Sequence, residues 1–142
     1  VLLKIVLDTN ILISAFLSQR SSPYKCLQIA QSSKVTSITC IDILQEFQEK
    51  LASKFKLPNS KVQQEVQKIV DCSEIIIISN SLNVVAADPK DNMVIECAVI
   101  GGATHIITGD KKHLLPLVSY QGIAIISASE FLKLFDPELG DV

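Results

Sequence analysis

Apolar positions recur along this chain in two periods, and the switches between them predict its elements. Lys4–Leu7 reads as a short buried strand, β-branched and entered from a lysine. Asp8-Thr9-Asn10 ends it, and Ile11–Leu17 carries an apolar stretch of helical length. Ser22-Pro23 predicts a helix start, a serine cap followed by proline at the first helical position, with the helix running to about Ser32. Val35–Thr39 alternates as a strand. From Ile41 to Ser53, Ile43, Leu44, Phe47 and Leu51 recur at helical spacing and define a core face. Ser60 with Gln63 forms a capping box for a helix ending near Asp71. Glu74–Ile78 is a continuous apolar run after its glutamate, expected as a strand buried on both faces.

Asp88-Pro89-Lys90-Asp91 opens a helix that Gly101-Gly102 closes. Ile106–Thr108 and Ile123–Ile126 read as strands, and Ser127 with Glu130 caps a last helix ending near Phe135. Asp136–Val142, with proline, glycine and three acids, reads as a flexible tail. Strands alternating with helices predict the α/β class: a three-layer sandwich around a mostly parallel sheet. With no repeat or linker dividing the chain, one domain over residues 1–135 is expected.

Composition narrows the function classes. The 142 residues are 48% hydrophobic and 20% charged, with a mean hydropathy of +0.36. That hydropathy invites a membrane span, yet no apolar run approaches the roughly 20 residues one needs. No basic segment followed by a long apolar stretch and a cleavage site marks a secretory signal, so the sequence reads as soluble and cytoplasmic. Cys26, Cys40, Cys72 and Cys97 are scattered without a C-x-x-C pair, and the histidines number two. Reduced core thiols fit better than a zinc site. A net charge of −2 and a pI near 5.6 argue against a long electrostatic grip on duplex nucleic acid. Any such grip is local, or supplied partly by metal.

Four acids stand out by position. Asp8 follows the first strand and Asp110 a later one, at the edge where open α/β sheets place ligands. Asp91 lies in the first turn of its helix, and Glu46 on the flank of the helix after the second strand. Each has a bland reading. Asp8 can be a turn or cap, Asp88 an N-cap, Asp91 a dipole partner, Glu46 a solvated flank and Asp110 a loop residue. Together they are harder to dismiss, because converging like charges oppose folding unless a cation neutralises them. Hard oxygen ligands suit Mg²⁺ or Mn²⁺, and such ions support phosphodiester hydrolysis.

Val6-Leu7-Asp8-Thr9-Asn10, Asp88-Pro89-Lys90-Asp91-Asn92, and Gly101-Gly102-Ala103 leading to Thr108-Gly109-Asp110 together resemble the PIN-domain family over about Leu3 to Phe135. More narrowly, they look like its branch of toxins from type II toxin–antitoxin pairs. The resemblance implies a Rossmann-like fold and a ribonuclease dependent on Mg²⁺ or Mn²⁺. It implies an RNA substrate, a cognate antitoxin and a homodimer. Carried across by position, Asp8, Glu46, Asp91 and Asp110 match the family acids, with Asp91 seven residues before Ala98. Asp42 and Glu49 compete with Glu46 on the same helix, Asp42 at capping distance from Thr39.

Asn10, Asn92 and Thr108 are expected to orient a carboxylate or a water. Glu96 reads as a solvated flank within reach of the cleft. Lys111, Lys112 and His113 read as a solvated charge run that could meet phosphates. Aspartyl-phosphate chemistry is disfavoured. Dehalogenase-like phosphatases want Asp where Asn10 stands, and receiver domains want an acidic pair at the strand end. A non-catalytic PIN-like module that binds RNA or protein is the alternative.

Overall fold

In the computed structural model, which describes residues 3–84 and 88–135, the apolar runs pair into one six-stranded sheet. The strands are β1 (Lys4–Leu7), β2 (Thr36–Cys40), β3 (Ser73–Ile76), β4 (His105–Ile107), β5 (Ser119–Tyr120) and β6 (Ile123–Ile126). Their order is β3-β2-β1-β4-β6-β5, parallel throughout except for the β5–β6 hairpin. The helices are α1 (Thr9–Leu17), α2 (Ser22–Gln31), α3 (Ile41–Ser53), α4 (Asn59–Asp71), α5 (Pro89–Gly101) and α6 (Ala128–Phe135). The α/β sandwich expected from the sequence is the fold observed. The expected tail, Asp136–Val142, lies outside the described residues.

The chain steps outward from β1 through β2 to β3, then returns across the sheet to β4 on the other side of β1. Right-handedness is the rule for parallel crossovers, and because the chain reverses direction after β3 that rule puts α1–α4 on one face and α5 on the other. α5 packs on β1, β2, β3 and β4, and α6 packs on α2. The strand order therefore reverses between β1 and β4, whose C-terminal ends carry Asp8 and Thr108-Gly109-Asp110. Such a reversal opens a crevice at the sheet edge.

Helix α5 is buried on all sides from Asp91 to Ala98. Its inner side meets the sheet closely enough that a Cβ on Gly101 would lie 2.6 Å from the Ile38 side chain. Its outer side is covered by the segment before it, which Glu96 fastens. The Glu96 carboxylate, 4% exposed, accepts from the Asn80 and Leu82 amides at 2.8 Å and from the Ser79 hydroxyl at 3.4 Å. Burial pushes its pKa up, but these donors outweigh it and hold the group below the usual range. The solvated flank expected for Glu96 is corrected: it is a buried anchor. Gly102 ends α5 in the left-handed region, at φ 69°, as the paired glycines predicted.

Three other expectations change. Ser21, not Ser22, caps α2, its hydroxyl accepting from Tyr24 N at 3.2 Å. Pro58 precedes α4, and Ser60 lies inside the helix, so no capping box forms there. Glu74–Ile78 was expected to be buried on both faces, yet β3 is an edge strand in which Ile75 is 41% exposed, and Ile77 beyond it is 85% exposed. A continuous apolar run is compatible with an edge when one neighbour and a covering helix shield only part of it. The β5–β6 hairpin, turning at Gln121-Gly122 with positive φ at both, was not foreseen.

The capping box at Ser127 does form. Glu130 N donates to the Ser127 hydroxyl at 3.2 Å, and Ser127 N donates to the Glu130 carboxylate at 3.3 Å. Ser127→Ala is therefore expected to cost about 0.5–2 kcal/mol in urea unfolding. Ser60→Ala should stay within about 0.5 kcal/mol, as an exposed substitution without a cap does. Equal losses would mean that the Ser127 box contributes nothing to stability.

Candidate metal centre

Asp8 is both a helix cap and a member of the acidic cluster. Its backbone carbonyl accepts from Ile11 and Leu12 in the first turn of α1. Its Oδ1 accepts from Thr9 N at 2.7 Å, and its Oδ2 accepts from Asn10 Nδ2 at 3.0 Å and the Thr108 hydroxyl at 2.7 Å. Burial dominates nonetheless and, with the charges of Glu46 and Asp110, lifts its pKa from 3.8 to about 6.

Thr108, with no exposed surface, joins the two strand ends. Its hydroxyl donates to Asp8 and accepts from Asp110 N at 3.0 Å. Asn10 makes a second bridge, accepting from Gly109 N at 3.0 Å while donating to Asp8. Asn92, grouped with these two in the sequence reading, turns its Oδ1 to Val84 N at 2.8 Å and serves the loop over α5.

Asp110 organises the turn that follows it. Its Oδ1 accepts from Lys112 N at 3.0 Å and His113 N at 3.3 Å, and its Oδ2 from Leu114 N at 3.3 Å. Burial pushes its pKa up, but these amides and the His113 ring outweigh that and hold it below the usual range. Leu114, fully buried, fixes the far end of the turn. His113 is thereby carried into the cluster. Its Nδ1 lies 3.0 Å from Asp91 Oδ2 and 3.7 Å from Asp110 Oδ2. A solvated charge run was expected across Lys111–His113. It holds for the two exposed lysines and fails for the histidine, because the turn folds His113 back over α5.

Asp91, 8% exposed, sits in the first turn of α5, below the Asp88 cap that accepts from Lys90 N at 2.9 Å. Burial, then the charges of Asp110, Asp88 and Asp8, raise its pKa to about 6, with His113 opposing. Glu46 lies on the α3 flank with its side chain 12% exposed, while Glu49 faces solvent. Lys90 Nζ stands 3.5 Å from Glu46 Oε2, and Lys50 Nζ 3.8 Å from Oε1. Asp42 accepts instead from Asn80 Nδ2 at 3.0 Å.

Two buried oxygens in this cluster, Glu46 Oε2 and Asp91 Oδ2, make no hydrogen bond. Their nearest partners are the Lys90 ammonium at 3.5 Å and the His113 ring at 3.0 Å, neither in hydrogen-bond geometry, and a divalent cation is a stronger partner for such oxygens. The donor set of hard oxygens with one imidazole fits a divalent ion. The ligand atoms of Asp88, Asp91 and His113 all lie within 4.8 Å of one another. Asp8, Glu46 and Asp110 surround this group closely enough to shift its titration, or one another's. A groove of about 370 Å³, lined by Asn10, Ser14, Ser22, Thr108, Ser127 and Ser129 among others, adjoins Asp8 through its partners Asn10 and Thr108, although none of the four acids lines it. A cavity of about 420 Å³ between α1, α2, α3 and α4 contains none of the four acids.

The PIN domain family matches residues 4–112. An uncharacterized protein, MJ1680, from Methanocaldococcus jannaschii is 33% identical over 112 residues, covering 77% of this chain and 72% of that one. The crystal structure of VapBC2 from Rickettsia felis, bound to a DNA fragment from their promoter, contains a chain of the same fold. It aligns with a TM-score of 0.65 at 15% identity, over 88% of this chain and 98% of that one. PAE2754 from Pyrobaculum aerophilum aligns with a TM-score of 0.63 at 11% identity, over 99% and 91%.

Proposed function

The chain belongs to the PIN-domain family, and from that premise we propose that it is a metal-dependent endoribonuclease, the toxin component of a type II toxin–antitoxin pair. PIN domains are generally metal-dependent nucleases. The observation that carries the reading to this chain is the pair of buried carboxylate oxygens, on Glu46 and Asp91, left without hydrogen bonds beside Asp8 and Asp110. In this reading the four acids hold Mg²⁺ or Mn²⁺, which supplies charge neutralisation and water activation when bound.

The protein's own residues do the positioning. Thr108 and Asn10 both hold Asp8 Oδ2 while Thr9 N holds Oδ1, and Asp110 keeps the following turn folded toward the site. Lys90, with a side chain 67% exposed, is a provisional counter-ion for Glu46 that an entering divalent ion can displace. The hydroxyl-lined groove beside Asp8 offers donors to phosphate oxygens of a single strand, a local grip compatible with a net charge of −2. No helix among the described residues is long and apolar enough to cross a membrane, and the proposal places the protein in the cytoplasm. The VapBC2 neighbour supports a cognate antitoxin as partner, and the family resemblance supports a homodimer.

Pure protein incubated with single-stranded RNA is expected to cleave it with Mn²⁺ or Mg²⁺ and to stop with EDTA. RNA that is bound but left intact with either ion would favour the non-catalytic module instead.

A further inference from the structure

We propose that His113 is itself a metal ligand, completing with Asp88 and Asp91 a mixed nitrogen–oxygen site that favours first-row transition ions such as Mn²⁺ over Mg²⁺. This rests on the metal-dependent reading above, shares Asp91 with its four acids, and adds Asp88 and His113 as ligands that specify the ion. The carboxylates alone would not distinguish the two ions strongly, since both are hard and accept oxygen.

The geometry separates a ligand from a plain ion-pair partner. His113 Nδ1 approaches Asp91 Oδ2 to 3.0 Å, yet that oxygen is solvent-free and makes no hydrogen bond. The ring nitrogen therefore lies beside the oxygen, off the axis that an N–H···O bond requires. A separation of about 3 Å is also what two adjacent ligands show when each lies ~2.1 Å from a shared octahedral ion. Asp88 brings a third ligand atom within 4.8 Å of both. Its Oδ1 caps α5 through Lys90 N, which leaves Oδ2 for a ligand role.

The histidine is held there by the chain rather than by an ion. Its amide donates to Asp110 Oδ1, the turn is anchored by buried Leu114, and the imidazole keeps a third of its surface open. An imidazole fixed among carboxylates is a ligand that Zn²⁺, Fe²⁺ and Ni²⁺ take readily; Mn²⁺ prefers oxygen as Mg²⁺ does, but accepts a nitrogen ligand more easily than Mg²⁺. His105, the other histidine, begins β4 at the opposite edge of the sheet and places Nδ1 2.8 Å from the Thr104 hydroxyl. It serves as an internal control.

The test uses the whole protein with Mn²⁺ and Mg²⁺ as probes. Pulsed electron paramagnetic resonance of bound Mn²⁺ should show nitrogen modulation in the wild type and in His105→Gln, and none in His113→Gln. Calorimetric titration should show His113→Gln weakening Mn²⁺ by about tenfold or more, with Mg²⁺ changed by less than about twofold. Bound Mn²⁺ without nitrogen modulation in the wild type overturns the ligand assignment and leaves the nuclease reading standing. Equal weakening of both ions in a folded His113→Gln also overturns it, making His113 a positioning residue for Asp91. Failure of the wild type to bind either ion removes the metal-dependent reading as well. The wild-type spectrum decides even where the variant does not fold.

Discussion

Asp91→Asn should raise the thermal midpoint of the metal-free protein at neutral pH while abolishing most of its response to Mn²⁺. The folded state holds the Asp91 proton more tightly than the unfolded chain does, with a pKa raised from 3.8 to about 6. As pH climbs through that window, the unfolded chain sheds its proton first, so stability falls with rising pH. Above pH 6 the penalty is complete. For a shift of this size it is on the order of 3 kcal/mol, or roughly 5–10 °C for a chain of this length. Asn removes the charge at nearly constant shape and so recovers part of it, less what His113 loses as a counter-charge.

The wild type should therefore gain from lower pH and from Mn²⁺ alike, since a ligand that binds only the folded state stabilises it by mass action. The variant should gain little from Mn²⁺ and less than wild type from lower pH, keeping the share that buried Asp8, itself raised to about 6, supplies. Scanning calorimetry at pH 5 and 7.5, with and without Mn²⁺, gives the four numbers for each protein. A folded variant with an unchanged Mn²⁺ response would remove Asp91 from the metal centre. A variant less stable than wild type at pH 7.5 without metal would show that the His113 contact outweighs the repulsion.

The same balance explains how much of the protein was legible beforehand. Strands β1 and β6, the capping box at Ser127 and the Gly101-Gly102 terminus follow from short-range rules, and the structure reproduces them. The alternation of strands and helices also placed Asp8 and Asp110 on one sheet edge, because parallel strands share their C-terminal side. What failed was mostly non-local. Ile75 and Ile77 look like a core strand until the sheet order makes β3 an edge. Glu96 looks like a flank until the loop over α5 covers it, since nothing in a helix pattern reveals a loop that returns onto its outer face. Ser60 matched a motif, but helix α4 starts two residues earlier than a Ser60 cap would place it, at Asn59 with Pro58 in the cap position. His113 was misread for the same reason as Glu96. A one-turn fold-back held by three amides on Asp110 has no periodicity, although an Asp followed by amides two to four residues on is the signal to look for.

Cleavage should leave 5′-phosphate and 3′-hydroxyl ends, with water as nucleophile and the 3′ oxygen as leaving group. The competing route is attack by the neighbouring 2′-hydroxyl, which leaves a 2′,3′-cyclic phosphate and needs a paired base and acid. Finding His113 3.0 Å from Asp91 makes that competitor more concrete than the sequence did, since an imidazole stands beside a carboxyl whose pKa is raised to about 6. The rest of the site argues against it. Asp91 Oδ2 is buried without a hydrogen bond, and Asp8 and Glu46 add charge that a 2′-hydroxyl mechanism does not require. The two routes part experimentally. Water attack with metal dependence should stop in EDTA and tolerate a 2′-deoxy residue at the cut. In Mg²⁺ it should lose about a hundredfold or more with Asp8→Asn, but less than about tenfold with His113→Ala. Attack by the 2′-hydroxyl should survive EDTA, fail on the deoxy substrate and collapse with His113→Ala. Asp8 supplies no proton to that route, so its replacement would then matter only through folding. Cyclic-phosphate ends from purified protein without metal would overturn the water mechanism while leaving the fold and the family untouched.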